Sequence, residues 1–266
     1  MDKIIKRDRS IVPACDVPLE VFKDIAMVTE WQHQFGALKI GPALTGRPGY
    51  DKVIAVAKKY TQKPLVFDPQ KWGTDIPDTA EKILAPVKES GIDAIILFPQ
   101  SGPATEYAWI NAAQNLELKV IVGGEMTHPR YLSNDVGGIG ERGDYINKFG
   151  LLGIDVLTPG FIREDAPLDM YKIAAKMGVT NFVLPGNKPD KITQYKHFLI
   201  GAGVKDPITW SPGLISQGGD LSEGAKAAGD NFHAIIGRGI YWNKEEKRYK
   251  TRQEMEQAAQ TLSRKI

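Results

Sequence analysis

Ile208-Thr209-Trp210-Ser211-Pro212-Gly213-Leu214-Ile215-Ser216-Gln217-Gly218-Gly219-Asp220 joins a short apolar strand to a helix start at Asp220/Leu221. The next apolar run, Ala234–Gly237, is followed at once by Arg238. Strand, glycine-rich turn, helix and strand make one β–α–β unit with parallel strands. Gly218 and Gly219 let backbone N–H groups approach an anion closely, and Arg238 offers two parallel hydrogen bonds to phosphate oxygens. Either segment alone reads as a plain turn or a surface ion pair. At two adjacent strand ends, together, they favour a phosphomonoester ligand.

The same unit repeats toward the N-terminus. Further candidate strands are Ile11–Asp16, Ala37–Ile40, Leu65–Asp68, Ala94–Phe98, Val120–Glu125 and Asn181–Pro185. They are short and apolar without alternation, as parallel strands covered on both faces must be. Between them, apolar residues recur at i, i+3, i+4 and i+7. Val53/Val56/Ala57/Tyr60, Trp109/Ala112/Ala113/Leu116, Met170/Ile173/Ala174/Met177 and Met255/Ala258/Ala259/Leu262 each define one helix stripe. Eight strands in strict β–α alternation predict a single-domain α/β fold over residues 1–266, a (β/α)8 TIM barrel, rather than an open doubly wound sheet. The rhythm breaks after strand five. Residues 134–167 are glycine-rich and carry an apolar patch at Leu151–Phe161, which predicts an insertion with a short helix around Tyr145–Leu151.

Composition removes several function classes. A net charge of +2 over 266 residues, without a basic run interleaved with aromatics, leaves no footprint for nucleic acid. No run of about 18 apolar residues is present to span a membrane. Met1–Ser10 is charged and lacks the apolar stretch of a secretory signal, and the lone Cys15 suits a reducing compartment; a cytoplasmic location is expected. Cys15 sits inside an apolar run and reads as a small core residue. His33 and His197 are expected on helix surfaces, and His233 at the start of strand eight, on the face of a barrel that serves stability.

Reactive groups in such a barrel lie at the C-terminal strand ends. Those ends carry Asp16, Lys39, Asp68 followed by Lys71 and Asp75, then Glu125-Met126-Thr127-His128, and the two anion-binding segments. Carboxylates and ammonium groups crowded in a water-poor cleft shift one another's pKa. A lysine between carboxylates stays protonated and serves as a general acid. A carboxylate set where a substrate carboxylate binds raises the substrate's energy until CO2 leaves. The plainer reading is a structural ion-pair network.

In order and spacing these residues resemble the orotidine 5'-monophosphate decarboxylase family, in its archaeal form. Asp75-Ile76-Pro77-Asp78-Thr79 is similar to the family's DIPNT/DIPET segment, and Glu125-Met126-Thr127-His128-Pro129 to its EMSHP segment. Ser211-Pro212-Gly213 through Gln217-Gly218-Gly219-Asp220 is similar to SPG…QGGD, and Ile235-Ile236-Gly237-Arg238-Gly239-Ile240-Tyr241 to IIVGRSIY. Lys39 matches the lysine of strand two.

The resemblance implies a catalytic set of Lys71, Asp68, Asp75 and Lys39. Lys71 would protonate C6 of the pyrimidine, Asp68 would press on the substrate carboxylate, and Lys39 would complete the network. Asp16 would bind ribose and Thr127 the pyrimidine, with Pro185 also against the substrate. Gln217, Gly218, Gly237 and Arg238 would hold the phosphate. Asp75, Ile76 and Thr79 would reach into a neighbouring subunit's site, which implies a homodimer. No metal or organic cofactor is implied.

One departure stands out. The family spaces its trio D-x-K-x-x-D, whereas Asp68-Pro69-Gln70-Lys71-Trp72-Gly73-Thr74-Asp75 reads D-x-x-K-x-x-x-D. Residues three apart on a regular strand point to opposite faces, so Lys71 joins Asp68 only if the backbone bulges or coils after Pro69. In a helical turn, Lys71 and Asp75 would share one face. Two rival readings stay open. One is a Mg2+-dependent sugar-phosphate enzyme of the same superfamily, of the hexulose-6-phosphate synthase or 3-keto-gulonate-6-phosphate decarboxylase type. These carry a metal-binding glutamate where Lys39 stands; Glu125 remains a possible ligand here. The other is a barrel that binds uridine monophosphate without turnover.

Overall fold

The computed structural model describes residues 3–72, 75–135, 151–153 and 160–266, without the side chains of residues 70–72. Eight parallel strands close into a barrel in sequence order: β1 (Arg9–Cys15), β2 (Leu38–Ile40), β3 (Leu65–Trp72), β4 (Ala94–Leu97), β5 (Lys119–Gly123), β6 (Asn181–Val183), β7 (Ile208–Ser211) and β8 (Phe232–Ile236). Closure comes from β1 against β8, in register from Arg9↔Phe232 to Pro13↔Ile236.

The helices are α1 (Leu19–Trp31), α2 (Pro42–Thr45), α3 (Tyr50–Tyr60), α4 (Ala80–Ser90), α5 (Pro103–Asn115), α6 (Ala166–Lys176), α7 (Pro189–Gly201), α8 (Leu221–Ala228), α9 (Arg238–Tyr241) and α10 (Arg252–Ser263). A small antiparallel hairpin of β9 (Trp242–Asn243) and β10 (Arg248–Tyr249) precedes α10. The expected stripes are buried at Val53 and Ala57 on α3, Trp109, Ala112 and Ala113 on α5, Met170 and Ala174 on α6, and Met255, Ala259 and Leu262 on α10, while Val56, Tyr60, Leu116, Ile173, Met177 and Ala258 are half-buried.

Two apolar layers result, because neighbouring strand residues face opposite ways and both faces are covered. Ile11, Ile95 and Val122 point outward under the helices. Val12, Ala37, Val66, Ala94, Ile96, Ile121, Val183 and Trp210 fill the barrel interior, and Ile4 and Ile5 join them from the N-terminal segment. Cys15 belongs to the outer core, fully buried, and burial raises its thiol pKa far above the ordinary value. His233 is buried on β8, as expected of that end. His197 is exposed on α7, but His33 lies beyond the end of α1 rather than on it.

At the β3–β4 seam, Phe67 pairs with Ile95 and Trp72 with Leu97, so β3 uses five steps where β4 uses two. The chain therefore bulges after Phe67, as the stretched Asp68–Lys71 interval demands. β3 runs through Trp72, so Lys71 sits on strand backbone and not in a helical turn. The Lys71 side chain and residues 73–74 lie outside the described residues.

Beyond β5 the chain leaves at Leu132 and returns at Ile162, which bridge in parallel. The Ser133 N–H donates to the Ile162 carbonyl at 2.6 Å. Of the expected helix around 145–151, residues 145–150 lie outside the described part, as does most of the expected insertion.

Candidate active site

A cavity of about 700 Å³ opens at the C-terminal strand ends. The inward face of each strand supplies its floor by simple alternation. Two residues beyond inward-facing Ala37 comes Lys39; two beyond Val66 comes Asp68; two beyond Ile96 comes Phe98. β2 and β3 are registered Lys39↔Val66, which leaves the lysine to reach Asp68 two residues further along β3. Lys39 Nζ lies 2.7 Å from Asp68 Oδ2, with Lys39 only 5% exposed. Burial opposes the lysine's charge, but Asp68 and Asp16 outweigh it and hold its pKa above the ordinary value. Lys39 is therefore a fixed cation on the cavity floor.

Asp16 follows β1 and faces the same cavity. Gly41, just past β2, makes room for it: a Cβ there would stand 2.4 Å from Asp16 Oδ1. Across the floor, Glu125 follows β5 with its side chain 1% exposed. Its Oε1 accepts from Lys188 Nζ at 2.7 Å and its Oε2 from the Tyr195 hydroxyl. Thr127 lines the cavity wall; its carbonyl accepts from Asn187 Nδ2 at 2.9 Å.

The opposite end is formed by Pro212, Gly213, Gln217, Gly237 and Arg238, with Tyr241, Trp242 and Tyr249 beside them. Gly213 and Gly218 both take φ +89°, which only glycine adopts without strain. The Gly218 and Gly219 N–H groups close the loop on itself, donating to the Ile215 and Gly213 carbonyls at 3.4 and 3.2 Å. The Asp220 carboxylate caps α8 from within the chain, accepting from Ser222 and Glu223 N–H at 2.8 and 3.0 Å. Gln217, Gly237 and Arg238, not Gly218, face the cavity.

No family model matches the sequence. Orotidine 5'-phosphate decarboxylase of Methanococcus maripaludis strain S2 is 30% identical over 228 residues, 85% of this chain and 87% of that protein. The chain belongs to the orotidine 5'-phosphate decarboxylase family. The decarboxylase of Methanocaldococcus jannaschii is 26% identical over 241 residues, 89% of this chain and 95% of its own. Crystal structures agree in fold. That of the M. jannaschii enzyme complexed with inhibitor BMP superposes with a TM-score of 0.64 at 22% identity, covering 96% of this chain and 99% of that one. The Pyrococcus horikoshii enzyme gives 0.64 at 21%, covering 96% and 98%.

Within this decarboxylase-family barrel, the structure gathers Asp16, Lys39, Asp68, Thr127, Gln217, Gly237 and Arg238 around one cavity. Pro185 is buried two residues past β6 and stands outside that lining; Pro212, after β7, is the proline in it. Asp75, Ile76 and Thr79 also stand outside it, with Ile76 60% exposed. They form a compact turn: Asp75 Oδ1 accepts from the Ile76 N–H, and Thr79 Oγ1 donates to the Ile76 carbonyl, both at 2.8 Å. Glu125, left open above as a metal ligand, has both oxygens engaged. Among the described residues no group of three His, Cys, Asp or Glu is placed to hold a metal ion.

Sequence reasoning missed Lys188, Asn187 and Tyr195, and the aromatic rim of Trp242 and Tyr249. The first three lie after β6 or on α7, where no periodicity separates them from surface residues. The hairpin aromatics carry no strand signal beyond two residues each.

Proposed function

We propose that the chain converts orotidine 5'-monophosphate to uridine 5'-monophosphate and CO2, without metal or organic cofactor. The observation that carries the reading is the Lys39–Asp68 ion pair on the floor of a cavity whose far end presents Gln217 and Arg238. A dianionic phosphate at Arg238 anchors the nucleotide, and binding energy gained there is spent at the other end.

At that end Asp68 faces the departing carboxylate. Their repulsion raises the energy of the bound substrate and fades as the carboxylate becomes neutral CO2. Lys39, 2.7 Å from Asp68 Oδ2, keeps that carboxylate aimed. The bond from C6 to the carboxyl carbon breaks and its electron pair stays on C6. The Lys71 ammonium then gives C6 a proton, leaving a neutral amine that solvent reprotonates. The bulge after Phe67 supports this role, because it breaks the strict two-residue alternation of the strand between Asp68 and Lys71. Fixed charges placed ahead of the reaction supply the stabilisation. Asp16 binds the ribose hydroxyls, Thr127 the pyrimidine edge, and Gln217, Gly237 and Arg238 the phosphate.

Asp75, Ile76 and Thr79 serve the partner's site in a homodimer. Their position outside the chain's own cavity and the exposure of Ile76 support that assignment. The enzyme works in the cytoplasm; among the described residues, no helix is long and apolar enough to cross a membrane.

The test is loss of orotate absorbance on incubation with orotidine 5'-monophosphate, with and without chelator. Chelator-insensitive turnover that Lys71→Ala abolishes is expected. Turnover only of a sugar phosphate with added Mg2+, or tight uridine monophosphate binding with no turnover, overturns the reading.

A further inference from the structure

We infer that Lys188 and Asn187 are positioning residues for Thr127: from the loop after β6 they fix the loop after β5, and so set where Thr127 meets the substrate base. The inference rests on the decarboxylase reading, in which Thr127 touches the pyrimidine.

Glu125 is the anchor. A carboxylate this buried is costly unless its charge is matched and its lone pairs are used. Lys188 supplies the charge at 2.7 Å and Tyr195 the second hydrogen bond. Lys188 Nζ also lies 3.6 Å from Asp135 Oδ2, and Asp135 Oδ2 in turn accepts from the Arg130 N–H at 3.0 Å. One ammonium group thereby ties both ends of the segment from Glu125 to Asp135. Asn187, the preceding residue, holds the middle through the Thr127 carbonyl at 2.9 Å. From the other side Gly213 presses close: a Cβ on it would stand 2.7 Å from Thr127 Cγ2. Thr127 is thus wedged between two loops, and its place depends on a charge pair whose cation, Lys188, stands outside the cavity lining. Glu125 faces the cavity, yet with both oxygens engaged its work is to hold Lys188.

The test compares Lys188→Met, Lys188→Arg, Thr127→Ala and the Lys188→Met/Thr127→Ala double variant. Asn187→Ala stands in should Lys188→Met fail to fold, since it removes only the bond to Thr127. If Lys188 acts through Thr127, Lys188→Met raises KM and the Kd for uridine monophosphate about tenfold with kcat changed less than about threefold, and the double variant is no worse than Thr127→Ala alone. Lys188→Arg restores most of the loss. Hydrogen exchange over 125–135 quickens in Lys188→Met whether or not ligand is present. Unchanged KM, effects that multiply in the double variant, or unchanged exchange overturns the inference. Absence of turnover by the wild-type chain sinks the decarboxylase reading instead, and the exchange measurement still decides whether Lys188 holds the loop.

Discussion

Lys39 Nζ on β2 and Asp68 Oδ2 on β3 lie 2.7 Å apart on neighbouring strands, at the level where the apolar barrel interior ends and the polar cavity begins. Removing the cation leaves a carboxylate beside an apolar floor. Lys39→Met is expected to lower folding stability by about 3 kcal/mol, the usual cost of stripping one partner from a buried pair. Turnover should fall by at least about a thousandfold, a loss of roughly 4 kcal/mol in transition-state stabilisation. Denaturant titration beside the absorbance assay separates the two effects; Lys39→Met with normal turnover would show that the pair is merely structural.

Gly41 is required by Asp16 rather than by its own backbone, whose φ of −116° any residue adopts. A methyl group at Gly41 would meet Asp16 Oδ1 at 2.4 Å, and the carboxylate must swing away. Gly41→Ala should therefore fold normally and raise KM by about tenfold, roughly 1.4 kcal/mol, while kcat changes little. Equal KM values for variant and wild type would remove Asp16 from the ribose site.

The barrel was legible because period-2 burial on both faces writes eight short apolar runs into the chain, and because helices must offer one stripe to them. The floor was legible for the same reason: Lys39 and Asp68 extend the inward-facing rows of Ala37 and Val66. The direction of the Gly218 N–H was not legible, since spacing cannot reveal whether a loop N–H points outward or, as here, back to the Ile215 carbonyl. Lys188 was illegible because its partner Glu125 lies far away in sequence, and such pairing exists only after the barrel closes. The bulge at β3 was foreseen from two residues, Asp68 and Lys71, whose separation a regular strand cannot reconcile.

Glu106 on α5 is 1% exposed, and its Oε1 has no hydrogen-bond partner among the described residues. Burial, helped by the nearby Asp169 carboxylate, pushes its pKa up to about 8. The native state thus keeps a proton that the unfolded chain releases above the ordinary value of 4.5. Its contribution to stability is complete below pH 4.5 and is lost as pH rises toward 8, up to about 3 kcal/mol by pH 7. Glu106→Gln should gain on the wild type as pH rises from 4.5 to 8 in denaturant titrations. A pH-independent difference would place the proton elsewhere.

His233 behaves in the opposite sense. It shares a 2.9 Å hydrogen bond with Ser10 Oγ and packs edge-on against Trp210, and burial, aided by Lys3, lowers its pKa to about 3. The native ring stays neutral while the unfolded ring gains a proton below the ordinary 6.5. Its contribution to stability is whole above pH 6.5 and is lost as pH falls toward 3. The imidazole NMR signals should show no titration between pH 7 and 5; a midpoint near 6.5 would refute the burial argument.

Arg238 stands exposed at the rim, one residue past Gly237, where an exposed guanidinium contributes little to folding. Its worth lies in the phosphate: two parallel charge-assisted hydrogen bonds to a dianion contribute about 3 kcal/mol together. Arg238→Ala should then reduce kcat/KM for the nucleotide roughly a hundredfold with melting temperature unchanged, because 1.36 kcal/mol is tenfold. Arg238→Lys should recover only part, since an ammonium cannot form the paired bonds. The decisive comparison uses the nucleoside, which has no phosphate for Arg238 to hold. Wild type and Arg238→Ala should process orotidine at the same low rate, and a difference there would mean that the guanidinium acts on the ring or the carboxylate instead.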